Sequence, residues 1–152
     1  MFQGAERSLT DILADDNNNV AIKGFDLKAK VSMAKQSQHA QITSPNIIAA
    51  IEGSDRMLKD EYVVFSAHLD HIGVSHHSDE EDKINNGALD NASGVSILLE
   101  TARLLSMMPE KPKRSVLFVV VTGEEKGLLG SSYFANNPTV PAMQMVANVN
   151  LD

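Results

Sequence analysis

The stretch Val116-Leu117-Phe118-Val119-Val120-Val121-Thr122-Gly123-Glu124-Glu125 joins an unbroken apolar, largely β-branched run to two adjacent carboxylates. A continuous run of this kind reads as a central strand buried on both faces, and ligands of α/β sheets gather beyond the carboxyl ends of such strands. Two neighbouring acids at that place have two readings. One is a solvated Glu-Glu pair on a loop. The other is a metal ion held by one Glu while its neighbour handles the proton of a bound water, because an unpartnered buried carboxylate costs several kcal/mol. On the second reading the alternation of the pleat turns Glu124 and Glu125 in opposite directions.

Working outward, the segments around this strand alternate in type. Tyr62–Ala67 is another continuous apolar run. Val95, Leu98, Leu99, Ala102 and Leu105 recur at helical spacing behind the candidate caps Asn91 and Ser93, and Pro109 and Pro112 end that helix. Residues 127–136 read as a helix and 145–150 as a strand. The order strand–helix–strand–helix–strand calls for an α/β fold: a mostly parallel, mixed sheet with helices on both faces, joined by right-handed crossovers. Ahead of it, Asn46–Glu52 reads as a strand and Phe25–Met33 alternates with period two, which predicts a half-buried strand pairing antiparallel with Asn46–Glu52. Ser8–Ala14 carries a short helical pattern behind a serine cap, stopped by Asp15-Asp16-Asn17-Asn18-Asn19.

A chain of 152 residues suffices for one domain with a real core. The formal net charge of −7 argues against a nucleic-acid surface and favours cations or cationic substrates. With no cysteine, any metal must be bound by His, Asp and Glu. No segment reaches transmembrane length, so no membrane partner is expected, and Met1-Phe2-Gln3-Gly4 does not open a signal peptide. The chain stops at Asp152, directly after an apparent core strand. It therefore reads as a fragment, incomplete at its C-terminus, whose uncovered sheet edge favours self-association. The acidic run Asp79–Asp82, the basic turn Lys111–Arg114 and Asn17–Asn19 read as solvated, and Met107, Met108, Met143 and Met145 as gap-filling core.

Acidic and imidazole residues recur where these strands end. His68-Leu69-Asp70-His71 follows the Tyr62 strand, Gly87–Gly94 (with Asp90) precedes the long helix, Glu124-Glu125 follows the Val116 strand, and Asp152 follows the last strand. In a parallel sheet those ends share one edge. Oxygen and imidazole donors without sulfur suit zinc, cobalt or manganese in a hydrolytic site.

Four segments carry a resemblance to a known family: Ala67-His68-Leu69-Asp70-His71-Ile72-Gly73, Asn86-Gly87-Ala88-Leu89-Asp90-Asn91-Ala92-Ser93-Gly94, Thr122–Ser131 and Asn148-Val149-Asn150-Leu151-Asp152. In this order they resemble the M28 zinc metallopeptidases of the co-catalytic aminopeptidase type, with wording closest to bacterial members that carry an inserted protease-associated domain. The resemblance implies a zinc-exopeptidase (phosphorylase/hydrolase-like) fold. Residues 1–24 would return from the insertion, and 25–152 would form a partial catalytic domain of a secreted or periplasmic enzyme acting on the amino-terminal bond of peptides. It implies that His68, Asp90 and Glu125 bind one metal, that Asp90 bridges to a second held by Asp152, and that Glu124 is the general base on a bridging water. Asp70 would complete the catalytic group by fixing the His68 ring through a hydrogen bond. Two Zn²⁺ ions would serve the whole enzyme. The family's second metal takes a further His from beyond the last matched motif, which His39, His71, His76 and His77 do not replace; His71 reads as structural or solvent-facing. This span is therefore expected to hold at most one tight zinc and to be inactive alone. Competing readings are a glutaminyl-cyclase-like acyltransferase using a single zinc and a non-catalytic ectodomain of the same fold.

Overall fold

The computed structural model describes residues 2–27, 30–75 and 81–152, which divide into two units, Met1–Gln41 and Ile42–Asp152. In the first unit, helix α1 (Leu9–Asn17) starts with a reciprocal cap. The Ser8 hydroxyl accepts the Asp11 N–H at 3.1 Å, and the Asp11 carboxylate accepts the Ser8 N–H at 3.3 Å. The helix runs three residues past its expected end because Asp15 is held by Arg7 at 2.6 Å and the Asn18 amide caps the Ala14 carbonyl at 2.7 Å. The strand expected over Phe25–Met33 is absent from its described residues, 25–27 and 30–33; positions 28 and 29 lie outside the description. Val31 and Met33 are 63% and 90% exposed. Alternation makes a strand only where one face is covered and the backbone finds a ladder. The described residues of 25–33 thus supply no strand for the antiparallel pair predicted there.

The second unit is built on a four-stranded sheet of β1 (Ile47–Ile51), β2 (Tyr62–His68), β3 (Ser115–Val121) and β4 (Met145–Asn150), in the order β1-β3-β2-β4. β2 runs parallel to both β3 and β4, and β1 is antiparallel to β3, so the sheet is mixed and mostly parallel as expected. The continuous apolar run Val116–Val121 lies in β3, whose seven residues are all buried, with Val119 only 1% exposed. Its two faces feed two cores. Val116, Phe118 and Val120 join Ala67 beneath helix α2 (Gly94–Met107), which supplies Val95, Leu98, Ala102 and Leu105. Leu117, Val119 and Val121 join Val64 on the other face, under Phe134 of helix α3 (Leu129–Asn136) and Met145. Helices thus cover both faces, and each fully buried Val or Leu contributes roughly 1.5–3 kcal/mol. Of the methionines expected in the core, only Met145 packs there; Met107, Met108 and Met143 are exposed. β4 is an edge strand, mostly exposed.

Register brings the chemistry to one edge. His68 pairs with Val121 and Ser66 with Asn150, so the residues following β2, β3 and β4 leave the sheet side by side. Two backbone bonds extend the ladder past the strands: Leu69 N–H to the Val121 carbonyl and Leu151 N–H to the Ser66 carbonyl, each 2.8 Å.

Leu98 is 2% exposed and locks α2 to the sheet. Leu98→Ala should lower unfolding free energy by about 2–5 kcal/mol, read from urea midpoints. Leu104→Ala, on the exposed side of α2, should cost less than about 0.5 kcal/mol.

Candidate metal centre

The turn after β3 is set by small residues in confined places. Gly123 has φ +66°, a conformation that favours glycine, and turns the chain out of the strand. At Gly130 a Cβ would collide with the Thr122 backbone and the Asn46 side chain. The Gly130 N–H reaches the Thr122 carbonyl at 2.8 Å. Asn46 closes the same junction, its amide nitrogen donating to the Gly130 carbonyl at 2.8 Å and its oxygen accepting the Thr122 N–H at 3.1 Å. Glu124 and Glu125 therefore sit on a turn three and four residues past β3, beyond any pleat. Strand alternation does not separate them.

What orients the pair is Asp70. Its carboxylate accepts the Glu124 N–H at 3.0 Å and the Glu125 N–H at 3.3 Å. The expected hydrogen bond from this carboxylate to the His68 ring is replaced: Oδ1 stands 3.9 Å from His68 Nδ1, which donates instead to the Asp70 backbone carbonyl at 2.9 Å. Asp70 still fixes the ring, but through its main chain, which frees the side chain to grip the next loop.

The Asp90 loop is a π-helical turn, Ala88–Ser93, interrupted by non-helical Asp90 and Asn91. Ser93 does not cap α2, since its own backbone is helical and its hydroxyl donates to Leu89. Asn91 caps: its buried side-chain oxygen accepts the Gly94 N–H at 3.0 Å, while its amide nitrogen donates to the Leu151 carbonyl at 2.8 Å. One amide thus fastens the Asp90 loop to the segment carrying Asp152.

These fastenings produce two donor groups. His68 Nε2 lies 2.9 Å from Asp90 Oδ1 and 3.1 Å from Asp152 Oδ1. His71 Nδ1 lies 2.8 Å from Glu125 Oε1 and 3.9 Å from Asp90 Oδ2. Within each group the donor atoms are within 4.8 Å of one another. The two oxygens of Asp90 face different groups, the disposition a bridging carboxylate needs. The partition differs from the one implied by the resemblance: His68 stands with Asp152, and Glu125 stands with His71. His71, read from the sequence as structural or solvent-facing, is half-buried against Glu125. Its signal in the sequence was its place three residues after His68 in the loop that Asp70 anchors. His76 and His77 lie outside the described residues, and His39 is exposed in the first unit.

The donor chemistry fits a divalent cation. Among the described residues, none of Asp70, Asp90, Glu124, Glu125 and Asp152 is paired with a lysine or arginine. His71 Nδ1 and Glu125 Oε1 are buried polar atoms without a hydrogen-bond partner. Burial of the His68 ring opposes its charged form, but the Asp70 carbonyl and the charges of Asp152 and Glu124 outweigh it, holding the imidazole pKa above its ordinary value.

Residues 46–152 match the family model described as Peptidase family M28. The chain belongs to peptidase family M28. A probable zinc metalloprotease of Pyrenophora tritici-repentis is 35% identical over 108 residues, covering 70% of this chain and 23% of that protein. Aminopeptidase YwaD of Bacillus subtilis is 33% identical over 111 residues, 72% of this chain and 22% of its own length. Aminopeptidase NAALADL1 of Mus musculus is 31% identical over 129 residues, 80% and 15% respectively. The crystal structure of a peptidase M28 precursor from Shewanella amazonensis SB2B superposes with a TM-score of 0.54 at 32% identity, over 68% of this chain and 21% of that one. This M28 chain spans less than a quarter of the length of each of these relatives. No helix among its described residues is long and apolar enough to cross a membrane.

In this M28 site, Asp70→Ala removes the acceptor of two turn N–H groups without touching a donor atom. Affinity for zinc or cobalt(II), measured by calorimetry, should fall about 10–100-fold. Acid should weaken binding as well. Metal takes the neutral ring, and a raised His68 pKa lets protons compete even above the ordinary imidazole range, so affinity should decline from about pH 8 to about pH 6. A flat profile would remove His68 from the ligand set.

Proposed function

We propose that residues 46–152 carry the metal and base groups of a zinc peptidase that hydrolyses the amino-terminal bond of peptides. The observation carrying this reading is the division within the Glu124–Glu125 pair. Glu125 belongs to a donor group, Glu124 belongs to neither, and both hang by their backbones from Asp70. The zinc metalloprotease and aminopeptidases among the relatives support the same chemistry.

His68, Asp90 and Asp152 would hold one zinc, and Asp90 would share a second with Glu125. When bound, zinc polarises the scissile carbonyl and makes water a nucleophile near neutral pH. The chain's own residues do the rest. Asp90 keeps the two donor groups at a fixed spacing through its two oxygens. Glu124, half-buried with its charge felt by the His68 ring, takes the proton of the attacking water and delivers it to the leaving amine. Asp70 holds the backbone that carries that carboxylate through the Glu124 N–H.

In the full-length protein, Glu124→Gln should leave zinc affinity within a few-fold while turnover of aminoacyl-4-nitroanilides drops roughly a hundred- to ten-thousand-fold. Unchanged turnover would dismiss Glu124 as the base.

A further inference from the structure

The side chains of Asp90 and Asp152 are more than half exposed, whereas His68 is buried. Packing can hold the His68 ring, but carboxylates standing mostly in solvent take their placement from the peptide groups that carry them. Asn91 follows Asp90 directly and is buried. Its amide nitrogen donates at 2.8 Å to the Leu151 carbonyl, the oxygen of the peptide group that joins Leu151 to Asp152. The Leu151 N–H is tied in turn to the Ser66 carbonyl at 2.8 Å. Asp152 therefore leaves β4 from a residue held at one end by the sheet and at the other by the neighbour of Asp90.

Gly94 completes this junction. Its N–H donates to Asn91 Oδ1 at 3.0 Å. A Cβ at Gly94 would overlap that same oxygen and stand 2.5 Å from the Leu151 carbonyl oxygen. The backbone of Gly94 is ordinary right-handed helix (φ −63°, ψ −43°), which alanine adopts more readily than glycine. Glycine is needed here for space: only without a side chain can the Asn91 amide meet the Leu151 carbonyl against the start of α2. We propose that Asn91 and Gly94 are positioning residues of the metal site, which together set the distance and direction between the Asp90 and Asp152 carboxylates. This rests on the metal reading above and extends it to two residues that offer no donor atom.

Cobalt(II) titration of the full-length protein, followed by visible absorption, tests it, with urea unfolding of the metal-free protein alongside. Asn91→Ala and Gly94→Ala should each lower cobalt affinity about 10–100-fold and alter the absorption band of the bound ion. Leu98→Ala removes core packing from the same helix and touches no donor; it should lower the urea midpoint yet leave affinity within a few-fold and the band in place. If affinity instead follows the urea midpoint across the three variants, Asn91 and Gly94 act on folding alone and the proposal falls. Should Asn91→Ala fail to fold, Gly94→Ala decides: wild-type affinity and an unchanged band overturn the proposal, and weaker binding with an altered band supports it. A wild-type protein that binds no cobalt(II) overturns the metal reading beneath, a failure distinct from wild-type binding by the two variants.

Discussion

Asp70 is the point on which the site depends. Its main-chain carbonyl accepts the His68 ring N–H, and its carboxylate accepts the N–H groups of Glu124 and Glu125. One residue therefore binds the loop after β2 to the turn after β3, where otherwise carboxylates would repel one another. Charge-assisted hydrogen bonds of this kind are stronger than neutral ones and hold direction as well as distance. The negative charge of Asp70 is used on backbone amides, which leaves the neighbouring carboxylates free for another cation.

Asn91 performs the complementary fastening: one buried amide donates to the Leu151 carbonyl of the Asp152 segment and accepts the Gly94 N–H at the start of α2. Between them, Asp70 and Asn91 tie four separate stretches of chain into one edge. The sheet behind supplies rigidity: β3 is buried along its whole length, and α2 and α3 clamp it from opposite faces. A site whose donors must hold their positions to within about 0.5 Å needs such a support.

Much of this was legible in the sequence. The apolar run ending at Val121 announced a central strand, and the Leu98 stripe announced the helix over it. The recurrence of His68, Asp90, Glu125 and Asp152 past strand ends located the edge. What escaped was whatever depends on contact rather than pattern. The alternation over Phe25–Met33 matched a strand but found no ladder. The family resemblance implied a side-chain bond from Asp70 to His68, yet chain direction after β2 turned the carboxylate toward the next loop. The partition of donors followed from which loops lie opposite one another, a property of register that sent His68 to Asp152 and Glu125 to His71. Pleat alternation could not govern Glu124 and Glu125, because Gly123 had already turned the chain out of the strand.

Anomalous diffraction at the zinc edge, from crystals of the zinc-loaded chain, addresses the whole arrangement at once. The expected map has a strong peak within coordination distance of His68 Nε2, Asp90 and Asp152, with the Glu124 carboxylate outside that coordination shell. Zinc bound only elsewhere, or Glu124 taken up as a ligand in place of Glu125, would contradict it.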